Sequence, residues 1–467
     1  MKKLISIFLI IYVNLFAIFA QDSLAIEKDC AELKKYMQEA SIDCSIAIDE
    51  GLLDVDDVIQ KIKVEYDSVK NKDKRDKKNS KGIYPSIFAS SIKNVLQKEL
   101  PYKNFHMLML ANKQWFSVFD KEYMFFSEVY LEKKGEEFIV EESNVRSIKK
   151  GMKYTGKKED LYKCIYQNKE LYRYGIFLPY IQEKAEISID NKTKKVPVQW
   201  FGKTINKKEV EVKRTEESIL ISIGTCSPKN VQMFSEEINK FRSEIESTNK
   251  TIIIDFRSNQ GGDINNILFV LYSIFFEKNQ TNLEKFKDKI NGVSANNVEL
   301  NTELLKQRLL IENQVEQYQY LKKYKEKYLI YKNKTGAKYS SDVRIENSKY
   351  NKKLYILTNY ITASAAELFM NYADIIYDEV IIVGENTFGS LDFADPSTYK
   401  LPNSEIVLFL TSTDVRDSVL SKNWKGEGKG FYPDYWATSE EIVDTIVYLT
   451  KDEKLRIVLK DLEKGQK

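Results

Sequence analysis

A serine at the mouth of an apolar helix can act as a nucleophile if backbone N–H groups and a base can reach it. One segment of this chain has that form. LYILTNYITASAAELFMNYADII, 354–376, reads as a strand, a short loop, a cluster of small residues and a helix. The helix has Leu368, Phe369, Tyr372 and Ile376 on its apolar face, and Ser364 stands at its start. A serine there is usually an N-cap. The same place offers unpaired N–H groups and partial positive charge, which suit a developing oxyanion. Locally, both readings stand.

Three further segments have chemistry-bearing shapes. IIIDFRSNQGGD, 252–263, is a buried strand that ends in Gly261 and Gly262, where the backbone can approach a ligand closely. IIVGENTFGSLDF, 381–393, is another strand entering a glycine turn, and KGEGKGFYPDYW, 425–436, is a glycine-rich loop that closes on Pro433 and Asp434. The single histidine is His106, in PYKNFHMLML. Cys30, Cys44, Cys164 and Cys226 fit no zinc spacing and carry no catalytic assignment. In an exported chain they could form disulfides, with Cys30 and Cys44 the pair nearest in sequence.

Together and in order, these segments resemble the tail-specific (C-terminal-processing) serine peptidase family. The matches are Asp-x-Arg-x-Asn-x-Gly-Gly at Asp255–Gly262 and Ser-Ala-x-Glu at Ser364–Glu367. Gly-Glu-x-Thr-x-Gly follows at Gly384–Gly389, and Gly-x-x-Pro-Asp at Gly430–Asp434. The resemblance covers about residues 215–450. It implies Ser364 as nucleophile, and an oxyanion hole from the N–H of Ala365 and of Gly261 or Gly262. Glu367 is implied to be structural. No metal or cofactor is implied. One branch of the family takes its base from a lysine directly after the glycine of the Thr-x-Gly turn, where this chain has Ser390, which cannot accept the proton. The tricorn-like branch uses a histidine at the end of the N-terminal helical region and a glutamate three residues before the glycine of Gly-x-x-Pro-Asp. His106 and Glu427 match those positions, with Asn104 where the branch often has an acid. A neutral imidazole would take the serine proton while a carboxylate orients the catalytic groups.

The elements that must hold these groups follow from patterning. Lys2 and Lys3, an apolar run to Ala20 and then polar Gln21 and Asp22 read as a signal peptide over 1–20, so the chain is expected to be exported to a periplasmic, envelope or extracellular place. No other segment is apolar enough to span a bilayer. Residues 21–106 read as a helical region, with Leu33, Met37 and Ala40 on one face and Val58, Ile59, Ile62 and Tyr66 on another. The charged run Asp67–Gly82 reads as a solvated loop. Residues 107–212 read as short strands, a small β-rich domain standing where many relatives hold a PDZ-like domain, though without a clear carboxylate-binding loop. Residues 213–467 read as an α/β layered core, crotonase-like by the resemblance. Its strands are expected at 219–224, 251–256, 353–358, 379–384 and 405–410, its helices include Val231–Glu246, and a helical insertion spans 277–350.

With 467 residues, 43% hydrophobic and 30% charged, the chain suits a folded protein of two or three domains. Its formal charge of +3, from 72 basic and 69 acidic residues, gives no reason to expect a nucleic-acid partner. The expected partner is a polypeptide substrate, cleaved through an acyl-enzyme on Ser364 with His106 as base. Two rivals stay open: an inactive relative that binds peptides or assembles at the envelope, and an esterase or other acyl hydrolase using the same site.

Overall fold

The structure is a computed structural model. It describes residues 24–72, 85–263 and 350–464, apart from 180–181, 201, 206, 228, 230–235, 238–239, 242–243, 245–248, 417–418 and 420. The expected signal peptide, most of the charged run and the 277–350 insertion up to residue 349 lie outside the described residues, and so does most of the expected 231–246 helix. The described residues fall into two compact units, 24–119 with 392–416, and 120–263 with 350–391 and 419–464.

The first unit begins with four helices: α1 (24–39), α2 (Ile42–Asp49), α3 (Val55–Lys72) and α4 (Pro85–Glu99). Their apolar faces are the ones the spacing predicts. Leu33, Met37 and Ala40 are buried, as are Val58, Ile59, Ile62 and Tyr66. A four-stranded antiparallel sheet completes the unit, in the order β14 (Phe393–Lys400), β15 (Val407–Asp414), β1 (Leu108–Ala111), β2 (Gln114–Ser117). Leu108 pairs with Phe409. The Asp29 carboxylate of α1 accepts N–H groups from Asn403 and Ser404, each at 2.8 Å, which fastens the helices to the β14–β15 hairpin.

This differs from the expected organisation in two ways. The strand expected at 405–410 is not in the parallel core; it pairs with β1. The strands after His106 do not open the β-rich domain, because the compact units divide at 119/120 rather than 106/107. An apolar run shows that a strand will be buried, but it does not name a partner three hundred positions away.

The second unit holds two sheets. The larger runs β16 (Tyr435–Trp436), β13 (Tyr377–Gly384), β12 (Tyr350–Thr358), β11 (Thr251–Asp255), β10 (Ser218–Ile223), β9 (Val210–Arg214). All its neighbours are parallel except β10 with β9. Its strands are continuously apolar because both faces are covered. Ile219, Ile221, Ile252, Ile254 and Ile356 pack with Phe369 and Ala373 of α5 (Ala365–Ile376). On the opposite face Leu220, Ile253, Tyr355 and Leu357 pack with Ile446 of α6 (Ile442–Thr450) and Leu455 and Leu459 of α7 (Leu455–Lys464). The architecture is mixed α/β.

The smaller sheet runs β5 (Leu161–Tyr166), β6 (Lys169–Leu178), β3 (Tyr123–Lys134), β8 (Lys192–Gln199), β7 (Lys184–Ile189), with β4 (Glu137–Ser143) also paired to β3. Two-residue turns join its hairpins. Gln167–Asn168 and Asp190–Asn191 have both φ values positive, the backbone that suits the twist of paired strands. The four cysteines are buried free thiols; burial pushes Cys30, Cys164 and Cys226 up to about 12, which makes them inert. Among the described residues no helix is long and apolar enough to cross a membrane.

Candidate active site

The four motif segments meet in the second unit, and hydrogen bonds explain most of the motif letters. β11 ends at Asp255, which is fully buried with Arg257 and Lys207. Arg257 donates to Asp255 from Nε at 3.0 Å and from a terminal nitrogen at 2.9 Å, and reaches Glu463 of α7 at 2.7 Å. The Lys207 amine lies 2.6 Å from the same carboxylate. Burial alone would raise the Asp255 carboxyl, but the two cations outweigh it and hold it well below the usual carboxylate range.

Asn259 shapes the turn that follows. Its side-chain amide donates to the Ile223 carbonyl at 3.0 Å, and its Oδ1 accepts the Gly261 N–H at 2.8 Å. Its own carbonyl accepts the Ala363 N–H at 2.9 Å, which brings the glycine turn against the start of α5. Gly261 has φ +88, and a Cβ there would stand 2.7 Å from the Ser364 Cβ and 3.0 Å from the Ala365 nitrogen. Only glycine fits.

Ser364 itself has φ 54 and ψ −118, a backbone that L-residues avoid. Such a conformation costs about 1–3 kcal/mol and persists only where neighbours over-determine it. Here the Ser364 N–H donates to the Glu367 carboxylate at 2.8 Å, and the Ser364 carbonyl accepts the Leu368 N–H at 2.9 Å. The Ala365 N–H is the first of the helix, where no intrahelical acceptor exists.

Glu367 is the junction of the site. Besides Ser364 it accepts the Thr387 hydroxyl at 2.5 Å, the Gly389 N–H at 2.7 Å and the Ser390 N–H at 2.9 Å. Burial pushes its carboxyl up, and these donors oppose that. The turn held by Glu367 then carries the fourth motif. Gly428 donates to the Gly389 carbonyl at 2.8 Å, and Phe431 donates to the Thr387 hydroxyl at 2.7 Å. A Cβ on Gly389 would stand 2.5 Å from the Gly428 nitrogen. Glu427, buried in this loop, is thereby joined to Ser364 through a single turn. Asp434 pairs with Ile382 in both directions, 2.8 and 2.9 Å, so the Pro-Asp pair fixes β16 to the sheet.

His106 lies in the first unit, between α4 and β1, while Ser364, Glu427, Gly261, Gly262 and Ala365 lie in the second. Asn104, in the place of the family's acid, accepts the His106 N–H at 3.1 Å and donates to Thr411 at 2.7 Å. Burial pushes the imidazole down to about 4, and a hydrogen bond to the Phe393 carbonyl works against that shift. The ring is therefore neutral near pH 7.

Two charged groups of the site went unnoticed in the sequence. Lys121 is buried, and its amine donates to the carbonyls of Thr387 at 2.7 Å and Tyr360 at 2.9 Å. Glu385, also buried, accepts the Tyr360 N–H at 3.2 Å. Glu385 had a signal, as the acid of the Gly-Glu-x-Thr-x-Gly motif. Lys121 had none, being one lysine in a lysine-rich chain.

Residues 220–436 match the sequence model of peptidase family S41. No curated protein sequence matches the chain. Among solved structures, mature CPAF is similar at 12% identity, over 95% of this chain and 99% of the other, with a TM-score of 0.40. A putative peptidase from Parabacteroides merdae is similar at 12% identity, over 92% and 97%, with a TM-score of 0.39. The photosystem II D1 C-terminal processing protease is similar at 10% identity, over 91% and 96%, with a TM-score of 0.34. Over residues 220–436, the stretch that holds all four motifs, the chain matches peptidase family S41, the family of the tail-specific serine peptidases.

Proposed function

We propose that this peptidase is exported and cleaves unfolded or flexible polypeptides through an acyl-enzyme on Ser364, with His106 as general base and Glu427 as the orienting acid. The observation that carries the reading is the strained Ser364 at the head of α5, with Gly261 pressed against it. The Ser364 hydroxyl attacks the scissile carbonyl and the His106 imidazole takes its proton. With one ring nitrogen donating to the Phe393 carbonyl, the other holds the lone pair that this step needs. The oxyanion is met by the Ala365 N–H and the Gly262 N–H; Gly261 is the weaker choice, because its N–H is already committed to Asn259. Collapse of the intermediate passes the proton to the departing amine, and water then releases the acyl group with His106 again as base. Export rests on the apolar run that ends at Ala20, and a crotonase-like core is supported by the layered sheet with helices on both faces.

Casein turnover tests the nucleophile. Ser364→Ala should lose on the order of 10³-fold or more in kcat while its circular dichroism stays that of the parent. Casein cleavage by the purified variant at the parental rate would sink the assignment.

A further inference from the structure

Lys121 closes a ring of contacts around the nucleophile. Its amine holds the Tyr360 carbonyl, four residues before Ser364, and the Thr387 carbonyl, in the turn that Glu367 grips. Glu367 in turn holds the Ser364 N–H. The circuit therefore runs from Lys121 to Thr387, Glu367 and Ser364, and back along the chain to Tyr360. We propose that Lys121 is a positioning residue, whose charged amine ties the loop entering Ser364 to the Thr387 turn and so holds the hydroxyl in its attacking position. In this role Lys121 acts on Ser364 through the two backbone carbonyls it holds, and takes no proton from the hydroxyl.

The surroundings make this tie sensitive to pH. Two buried carboxyls face the amine, Glu367 from α5 and Glu385 from the turn after β13. Tyr123 of β3 presents its ring 6.0 Å away, Phe388 presents its ring at 4.9 Å, and Tyr360 supplies a carbonyl. Lys121 is the cation that both acids face, while Glu385 also feels Arg257 and, against it, Glu441. Burial pulls the Lys121 amine down to about 7, with both acids resisting, and burial pushes Glu385 up to about 7. When pH rises past that point the amine discharges. The acids then repel without a counter-charge, and the tie to the two carbonyls weakens. Activity should therefore fall on the alkaline side.

The inference rests on Ser364 as the nucleophile, so the readout is the rate of Ser364 labelling by a fluorophosphonate, with casein turnover beside it, from about pH 6 to about pH 9. The wild-type rate should fall along an alkaline limb beginning near 7. Lys121→Arg should move that limb upward, because a guanidinium stays charged. Glu385→Gln removes a counter-charge and should move it downward. Lys121→Met should lose about 10- to 100-fold in kcat with little change in KM, and should have no alkaline limb. A limb that stays in place in the folded variants overturns the inference, as does a parental rate in Lys121→Met. If the lysine variants fail to fold, an unmoved limb in Glu385→Gln overturns it. A wild-type rate that stays flat over the whole range overturns it without any variant. A wild-type enzyme that is never labelled sinks the nucleophile and this inference together, whereas labelling with an unmoved limb sinks this inference alone.

Discussion

Two buried carboxylates at the ends of two motifs are held in opposite ways. Asp255 is neutralised by Arg257 and Lys207, and through Arg257 it fastens the C-terminal helix α7 to the end of β11. Glu367 meets no cation at hydrogen-bond distance among the described residues; it is held by three backbone N–H groups and two hydroxyls. The first arrangement locks a core. The second fixes positions, because each N–H belongs to a segment that it aligns: Ser364 on one side and the Gly389 turn on the other. A motif letter can thus be an ion-pair anchor or a geometric jig, and only the partners tell which.

Removing the anchor should do the most damage. Arg257→Met leaves Asp255 buried with half its compensation, which typically costs about 3–5 kcal/mol of stability. Thermal melting should show the loss, while kcat per folded molecule stays near that of the parent. A large fall in kcat with an unchanged melting point would reverse the comparison. Glu367→Gln should do the opposite. Its amide turns an acceptor into a donor facing donors, and kcat should fall about 100-fold through misplacement of Ser364, more than KM changes. Steady-state kinetics at fixed folded fraction would detect a parental kcat, which would make Glu367 a mere packing residue. Gly261→Ala sharpens the same point from the other side. Its Cβ would collide with Ser364 and sit at a positive φ, so about a 10- to 100-fold loss in labelling rate is expected, and a parental rate would mean that the turn can move away.

The smallest effect is on the acid limb. The proposed base, His106, must be neutral, so the rate should fall as pH drops through the imidazole's value. An ordinary histidine would place that limb near 6.5. Burial places it near 4, so activity should persist through about pH 5. A limb at the ordinary value in the pH profile of kcat/KM would mean that His106 is solvated in the working enzyme.

Much of the core was legible because buried parallel strands are apolar without interruption: TIIIDF overruns β11 by one residue, and KLYILT is β12 without its first three residues. The β5–β6 hairpin was missed, although LYKCIY, a Gln-Asn turn and an aromatic-rich second run carry the hairpin signature. Its signal was chemical rather than hydrophobic, since the positive φ pair at Gln167 and Asn168 is what such a turn demands. The pairing of β1 with β15 and the approach of Lys121 to Tyr360 and Thr387 were not legible at all. Both join positions more than two hundred residues apart, and no local propensity encodes a partner at that distance.

That long pairing also sets a schedule. The unit that carries His106 is built from residues 24–119 and 392–416, and the imidazole's bond to Phe393 crosses from one piece to the other. A chain emerging from a ribosome or a translocation channel makes the histidine early and Ser364 later, and the strands that complete the histidine's sheet later still. Contacts so distant in sequence form late in folding. The proposed base, His106, is therefore seated only when nearly nine-tenths of the chain has been delivered.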